Sequence, residues 1–371
     1  STPTPTPNPD PSEEGDWFCE PKVIITHNTN YSYLLKSDGS VWHWKSSGAS
    51  TDPSINNIVP VLNEDGTHLS GVIDIIYSHF NMIALKEDGT VWAVGTNHLG
   101  ISGLGNIEEW SDYARQVKGP NGVGYLTDVK QISYGYYSRL ALKNDGTVWG
   151  WGDSRMTGTY HADNKCEYYP TQIKGVDGTG YLTNIDKIAG SEEDGIFAAA
   201  LKKDGQVLHW GNDWSNIAGV ADLYYQYPTY VNKVEDNSAL NGIKDIRRRS
   251  ALHEDGTVWA WGTNRMYEFG NGTTRSVLND GIIFRQADRV LNENGSGYLQ
   301  NVAELIDHCI VKLNNGTYLA WGDNNWTITE RQFSRPLPTI ANVPSDSIVI
   351  DRFGTIIKAD GSVWIRGNAS Y

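Results

Sequence analysis

Short apolar stretches alternate with polar turns along most of the chain, and the alternation follows one repeated unit. In the third copy, VKQI from Val129 and RLALK ending at Lys143 predict two strands, and the turn Asn-Asp-Gly146 predicts a hairpin between the second strand and the next. TVWGWG predicts a third strand because it is rich in β-branched and aromatic residues. After a long polar loop, PTQIKG predicts a fourth strand. One unit is therefore predicted to be a four-stranded antiparallel sheet.

The third strand is apolar on both faces, because Val148 and Trp149 are adjacent instead of alternating with polar residues. A sheet that is covered on both sides gives this pattern. The unit occurs seven times, and its copies follow one another at intervals of 45–60 residues. Repeats of this length favour a propeller or a solenoid. We therefore predict an all-β fold, a seven-bladed β-propeller of four-stranded antiparallel blades over residues 19–371. The Asp-Gly or Asn-Gly turns of the copies begin at Asp38, Asp88, Asp145, Asp204, Asp255, Asn315 and Asp360.

The two ends of the repeat array suggest how the ring closes. The last copy ends at Tyr371, directly after its third strand, whereas EPKVIIT (residues 20–26) precedes the first copy and resembles the fourth-strand segments. We predict that this N-terminal strand, near Pro21, completes the last blade and closes the ring. The alternative is that VIIT forms the first strand of blade one.

Tryptophan is concentrated on the third strands, which carry ten of the fourteen tryptophans. Burying one indole removes roughly 150–250 Å² from water, a gross gain of about 4–6 kcal/mol before entropy is subtracted. We predict that these side chains fill the space between neighbouring blades. They are Trp42, Trp44, Trp92, Trp149, Trp151, Trp210, Trp259, Trp261, Trp321 and Trp364.

The first 18 residues differ from the rest, because Thr-Pro alternation gives way to acidic residues. This composition predicts a flexible linker to other modules of the same polypeptide, at the cell surface or in a secreted protein. The formal net charge of −14 argues against nucleic acid or an anionic membrane as a partner. No apolar run approaches the ~20 residues that span a bilayer, so we expect no direct membrane insertion. The three cysteines, Cys19, Cys166 and Cys309, allow at most one internal disulfide.

The pattern AL-K-x-DG-x-V-W-x-WG, followed by loops such as NRMYEFGNGT, resembles the regulator of chromosome condensation repeat. The resemblance implies a seven-bladed propeller. The family's glycine-glutamine-leucine-glycine box is reduced here to LGISGLG (residues 99–105), and the first copy has Trp44-Lys45 where Trp-Gly is usual. The eukaryotic namesake exchanges guanine nucleotide on a small GTPase and binds chromatin. The negative net charge of this chain and its Thr-Pro N-terminal segment fit neither role. The chain looks more like bacterial secreted members, among them a propeller-type β-lactamase inhibitor that binds its target with aromatic residues ahead of second strands.

A propeller of this kind has two unlike faces. The upper face carries the loops between first and second strands and between third and fourth strands; the lower face carries the Asp-Gly turns and the blade-to-blade connections. The connections repeat closely, which suggests a structural task, whereas the upper loops vary and contain spare aromatic residues. We predict ligand binding by these aromatics, the alternative being that each one caps its own blade. The candidates are Tyr31, Phe80, Trp110, Tyr113, Tyr136, Tyr137, Trp214, Tyr224, Tyr225 and Trp326.

Arg247, Arg248 and Arg249 form a basic run in an acidic chain. The run could bind a carboxylate or a sulfate. We favour pairing with the acidic residues 192–194 in the equivalent loop of blade four, because unpaired like charges repel. Arg352 is a further candidate ligand-binding residue.

No combination of residues points to catalysis. The nine histidines form no metal-binding motif, and nucleophile elbows, phosphate loops and dinucleotide motifs are absent from the sequence. We therefore expect no enzymatic activity, no cofactor and no metal. The favoured function is a noncatalytic extracellular recognition module that binds a protein through its upper face. The alternatives are a carbohydrate-binding module and a rigid spacer.

Overall fold

The computed structural model describes residues 24–27, 31–45, 58–78, 81–105, 110–135, 137–157, 166–191, 195–213, 223–262, 264, 267–273, 286–322, 335–340, 347–350, 355–358 and 363–365. These residues form seven β-sheets that follow one another along the chain, and we call them blades one to seven. Within the blades, neighbouring strands run antiparallel, with one short added strand in blade five as the exception. The all-β prediction is confirmed.

Blades one to four each contain four strands in chain order. Blades one and two consist of β1 Ile24–His27, β2 Tyr31–Leu35, β3 Val41–Lys45, β4 Val59–Pro60, β5 Val72–Ser78, β6 Asn81–Lys86, β7 Val91–Thr96 and β8 Trp110–Gln116. Blades three and four consist of β9 Val129–Tyr134, β10 Ser138–Lys143, β11 Val148–Asp153, β12 Cys166–Gln172, β13 Ile185–Ser191, β14 Gly195–Lys202, β15 Val207–Asp213 and β16 Leu223–Tyr230.

The short strand β17 Asn232–Lys233 pairs in parallel with the outer strand of blade five. Blade five otherwise consists of β18 Ile243–Arg247, β19 Ser250–His253, β20 Val258–Ala260 and β21 Gln286–Arg289. Blade six consists of β22 Val302–Asp307, β23 Ile310–Leu313, β24 Tyr318–Gly322 and β25 Arg335–Ile340. Blade seven consists of β26 Ser347–Ile350, β27 Thr355–Lys358 and β28 Val363–Ile365. The helical elements in the described part of the chain are short: α1 Ser154–Thr157 and three 3-10 turns, His98–Gly100, Pro120–Gly122 and Val176–Gly178.

The N-terminal strand corrects one prediction. Ile24–His27 pairs with Tyr31–Leu35, so VIIT belongs to the first strand of blade one, as the alternative reading has it. Four apolar residues suit a first or a fourth strand equally well, and only the pairing decides. Pro21 lies outside the described residues, so closure of the ring by the residues around it stays a prediction.

The blades are joined through their first strands and their Asp-Gly turns. Strands β1, β5, β9, β13, β18 and β22 adjoin one another in that order, which places the first strands around a common axis, as in a propeller. In blades two to six, the N–H group that begins the blade donates to the carbonyl of the turn glycine in the blade before it, as Val129 does to Gly89 at 3.1 Å. The same bond recurs at 3.0–3.3 Å for Val72, Ile185, Ile243 and Val302.

Apolar side chains pack between blades. Five buried clusters each combine residues of two consecutive blades, from blades one and two to blades five and six. Trp151 of blade three, for example, packs with Val91 and Ile132. A blade is thus covered on both faces by its neighbours, which explains the doubly apolar third strands.

The burial of the third-strand tryptophans depends largely on their position in the repeat. The second tryptophan of the repeat is fully buried at Trp151, Trp210, Trp261 and Trp321. Trp42, Trp92 and Trp149, at the first position, are only partly buried, as is Trp44 at the second, so the prediction that all ten fill the space between blades is too broad. Trp259 is the buried exception at the first position. The structure does not describe the side chain of Trp364.

In blades one to three, the first tryptophan bonds to the Asp-Gly turn. In blade three, Trp149 Nε1 donates to the Thr147 hydroxyl at 3.0 Å, and that hydroxyl donates to Asp145 Oδ1 at 2.7 Å. The Thr147 hydroxyl and N–H bonds hold the pKa of Asp145 below its usual value. Equivalent relays run from Trp42 to Asp38 and from Trp92 to Asp88.

In the fourth, outer strand of a blade, one residue is proline or alanine, and which of the two occurs depends on the connection that precedes the blade. Where the connection ends in Gly-Tyr-Leu, this position is a buried proline, and the residue before it packs on a connection glycine, as Tyr169 does on Gly122. Where the connection is of the other type, the position is alanine and its backbone is paired: Ala114 N–H donates to Leu62 O at 2.8 Å. Ala287 pairs with Lys233 in the same way. The prolines are Pro170, Pro228 and Pro338.

This rule predicts opposite tolerance at equivalent sites. Ala114→Pro removes the N–H that Leu62 accepts, so we expect the free energy of unfolding to fall by about 1–3 kcal/mol. Pro170→Ala, the matched variant, should cost less than about 1 kcal/mol, chiefly through the unfolded chain. Denaturant unfolding of both proteins measures the difference. Equal losses would contradict the rule.

Candidate functional site

Solvent-exposed aromatic rings occur on the upper part of blades two and three. Trp110 and Tyr113 on β8 and Tyr168 on β12 keep 39–46% of their surface exposed. Tyr137, in the loop before β10, is partly buried. We call Trp110, Tyr113, Tyr137 and Tyr168 the upper aromatic patch. Exposed large rings on a frame of otherwise buried aromatics indicate a binding surface.

Trp110 is held by its own strand. It is the first residue of β8 and pairs with Thr96, and its Nε1 donates to Asp112 Oδ1 at 2.6 Å. Asp112 also lies near His43 of blade one, where its charge opposes the lowering of the His43 pKa that burial causes. The indole is therefore oriented although it is exposed, and the rotamer freedom lost on binding is small.

The loop after β7, residues 97–105, contacts both Tyr137 and Tyr168 of the upper aromatic patch. The His98 ring meets the Tyr137 ring edge-on, with 5.5 Å between centroids. Gly105 N–H donates to Tyr168 O at 3.0 Å, and the Tyr168 ring lies so close to Gly100 that a side chain there would collide with it. Buried bonds fix the loop itself, including Ser102 N–H to Asn97 Oδ1 at 2.9 Å. Blade two thus supplies the support for aromatic residues of blade three.

The remaining aromatic candidates are placed only in part. Tyr31 begins β2, and Tyr224 and Tyr225 lie on β16 opposite Asn212 and Gly211, but their side chains are not described. Outside the described residues lie Phe80, Tyr136, Trp214, Trp326 and Arg352. Binding by these residues stays a prediction.

The arginine run does not form one cluster. Arg249 is buried and stacks on Phe197 of blade four, with 4.6 Å from Cζ to the ring centroid, which removes it from the candidate surface. Arg248 has a left-handed backbone, φ +48°, and its Nε lies 3.4 Å from Asp307 Oδ1 of blade six. Arg247 lies close enough to Lys187 to lower the pKa of that ammonium group, adding to the larger effect of burial.

The favoured partners of the run, residues 192–194, lie outside the described part. Pairing with these residues therefore stays a prediction, and the contact that the structure describes joins Arg248 to Asp307 of the following blade. The left-handed backbone of Arg248 turns the successive arginine side chains in different directions, so the run does not act as one group.

Two features were missed by the sequence interpretation. Arg139, six residues before the turn aspartate of blade three and equivalent to Arg249, is fully buried, and its Nη2 donates to Ser78 O of blade two at 2.9 Å. The lower face also presents aromatic residues, since Tyr125, Tyr181 and Tyr298 in the connections are 45–54% exposed. The repeated Gly-Tyr-Leu sequence was the available signal, but it was interpreted as structural.

Other kinds of site find little support in the described residues. They contain no group of three or more His, Cys, Asp or Glu side chains arranged to hold a metal ion. Cys166 and Cys309 do not form a disulfide with each other. None of the described helices has the length and apolar character needed to cross a membrane.

Comparison with known proteins identifies the repeat. Residues 129–156 match the family model of the regulator of chromosome condensation (RCC1) repeat. The chain is 25% identical over 264 residues to the E3 ubiquitin-protein ligase HERC2 of Homo sapiens, a match that covers 68% of this chain and 5% of HERC2. It is 26% identical over 153 residues to the mitochondrial RCC1 domain-containing protein RUG3 of Arabidopsis thaliana, covering 41% of this chain and 33% of RUG3. The matches thus span a third or less of these relatives.

Solved structures agree on the fold. Human WBSCR16 superposes with a TM-score of 0.59 at 18% identity, covering 89% of this chain and 84% of that one. Yeast RCC1 (Prp20), in its complex with Kap60, gives a TM-score of 0.58 at 18% identity, covering 88% and 76%. With the consecutive four-stranded sheets described above, these superpositions show a propeller fold, and residues 129–156 of this propeller are similar to the regulator of chromosome condensation repeat.

Proposed function

We propose that the chain is a noncatalytic recognition module that binds a protein partner through the upper aromatic patch. The observation that carries the proposal is the exposure of Trp110, Tyr113 and Tyr168 on strands whose neighbours are buried. Aromatic residues dominate the binding energy of many protein interfaces, where they act as anchors surrounded by weaker contacts.

The rigidity of the frame supports the same proposal. Trp110 is fixed by Asp112, and Tyr168 lies against Gly100 of the preceding blade. A preorganised surface binds with a smaller entropic cost than a mobile loop, so a few anchors are sufficient for useful affinity. The upper patch therefore suits a partner that presents a complementary apolar surface.

Relatives supply a second line of support. Yeast RCC1 (Prp20), which shares the fold, has been crystallised in complex with another protein, Kap60. HERC2 is an E3 ubiquitin-protein ligase, but the matched region is only 5% of its length, so its activity does not transfer to this chain. We propose the general role, protein recognition, and no specific partner of these relatives.

The location of the protein remains a proposal based on its leader. The Thr-Pro segment favours a secreted or cell-surface module on a linker. The relatives reported above come from human and Arabidopsis thaliana, and RUG3 is mitochondrial, so they give no support to a bacterial secreted origin.

Replacing the three exposed rings tests the function. In W110A/Y113A/Y168A, we expect the affinity for a captured and purified partner to fall about 100-fold or more, because each aromatic anchor contributes at least about 1 kcal/mol. The melting temperature should change by no more than about 3 °C, because the side chains are exposed. Val234→Ala, at another exposed apolar side chain, is the control and should bind normally.

The partner is obtained by affinity capture with the wild-type chain and is then measured by calorimetry against all three proteins. A glycan array screened in parallel tests the carbohydrate alternative. Unchanged partner affinity in the triple variant would refute the proposal, and a glycan whose binding is lost in that variant would replace the protein partner with a sugar.

A further inference from the structure

Three blade-to-blade connections end in Gly-Tyr-Leu, and each presents its tyrosine to solvent beneath a basic side chain. Lys118 Nζ lies 4.7 Å from the ring centroid of Tyr125, and Lys174 Nζ lies 4.8 Å from that of Tyr181. In the third copy, Arg289 Cζ is 4.7 Å from the Tyr298 ring. About half of the surface of each tyrosine residue is exposed, so these side chains contribute little to the core.

The first two pairs are built in the same way. A backbone bridge joins Lys118 to Tyr125, and another joins Lys174 to Tyr181. Between them, Gly119 N–H donates to Gly124 O at 3.0 Å, and Gly175 N–H donates to Gly180 O at 3.2 Å. Each small hairpin also rests on the outer strand of the next blade. The positions of ammonium group and ring are therefore fixed before anything binds.

The three pairs differ in whether a carboxylate lies beside the basic group. Arg289 Nη2 has a carboxylate partner, Glu235, at 3.6 Å. In the part of the chain that the structure describes, neither Lys118 nor Lys174 has a carboxylate within 4.0 Å. Among the described residues, two adjacent connections thus carry ammonium groups without a carboxylate partner, although the chain as a whole has a net charge of −14.

We propose that the Lys118–Tyr125 and Lys174–Tyr181 pairs form a docking surface for an acidic peptide segment. Each ammonium group has three N–H donors, and those that do not face the ring can bind a carboxylate. The tyrosine faces accommodate the apolar parts of the segment. Because the pairs lie one blade apart, a single extended segment places acidic residues on both. The surface belongs to the lower face and is separate from the upper aromatic patch.

Charge reversal on this surface is the test. The probe is a fluorescein-labelled glutamate-rich peptide, measured by anisotropy at low ionic strength, with a glutamine-rich peptide of equal length as the uncharged comparison. We expect the dissociation constant for the acidic probe to rise at least about tenfold in K118E/K174E. In the control variant K203E/K244E, it should rise by a factor of less than about two. Lys203 and Lys244 are exposed, and their reversal changes the net charge by the same amount.

Further measurements separate this surface from its alternatives. Y125L/Y181L should bind the probe several-fold more weakly, because leucine keeps an apolar side chain but loses the ring that positions the ammonium group. W110A/Y113A/Y168A should bind it normally. Equal losses in the two charge-reversal variants would show general electrostatic attraction and overturn the proposal. A heparin oligosaccharide that displaces the peptide and binds more tightly would assign the surface to sulfated glycans instead.

Discussion

Trp151→Ala is expected to lower the free energy of unfolding by about 3–5 kcal/mol, the range for removing a large aromatic side chain from a packed interior. Trp151 is fully buried between blades two and three. Its Nε1 also donates to Ile101 O of blade two at 2.9 Å, so the substitution leaves a cavity and an unpaired carbonyl in the loop that supports the upper patch. Denaturant unfolding measures the loss.

Trp149→Ala is the matched control, since the two residues share β11 and the same face of the strand. Trp149 is only partly buried and bonds a turn hydroxyl. We expect about 1–2 kcal/mol for its removal. If W149A proves as destabilising as W151A, the distinction between the two tryptophan positions is wrong.

Arg139→Met is expected to cost about 2–4 kcal/mol, because several buried carbonyls lose their donor together. The guanidinium group joins two blades: Nη1 donates to Ser138 O at 2.9 Å in blade three, and Nη2 donates to Ser78 O at 2.9 Å in blade two. Methionine fills a similar volume without supplying donors. Arg139→Lys should recover only part of the loss, since one ammonium group replaces a planar fork with five N–H donors.

Arg115→Met provides the surface comparison. Arg115 pairs with Glu64 at 2.7 Å, with both side chains partly open to solvent. Ion pairs of this kind contribute about 0–1 kcal/mol. A loss in R139M no larger than that in R115M would mean that the buried arginine does not hold the blades together.

Much of the fold could be predicted from the sequence because its signals are local. The Asp-Gly turns and the β-branched third strands predicted hairpins that the structure contains, such as β10 to β11 around Gly146. The fourth strand of blade three begins at Cys166 rather than at Pro170, because a register shift between Gly150 and Gly152 lets Asp153 pair with Cys166. Nothing in the pattern of residues marks such an irregularity.

The two tryptophan positions could not be separated in advance. Trp149 and Trp151 have the same periodicity, and what distinguishes them is the loop of the preceding blade that covers Trp151 at Ile101. Contacts between distant loops do not appear in a strand pattern. The correct placement of Ile24–His27 likewise needed the observed pairing with β2.

The candidate site was predicted in part. Trp110 and Tyr113 were singled out from their place between third and fourth strands, and both are exposed. Arg249 was included because it is adjacent to Arg247 and Arg248, but the backbone at Arg248 sends it into the core. The lower-face tyrosines were passed over because a repeated sequence suggests structure, whereas exposure and charge are visible only in three dimensions.

Hydrogen–deuterium exchange of the chain with and without its captured protein partner tests the central claim most directly. The account predicts slower exchange in residues 110–116 and 166–172, the two outer strands that carry Trp110, Tyr113 and Tyr168. Exchange in the connections at 118–125 and 174–181 should be unchanged by that partner. Protection confined to those connections, with β8 and β12 unaffected, would contradict recognition through the upper face.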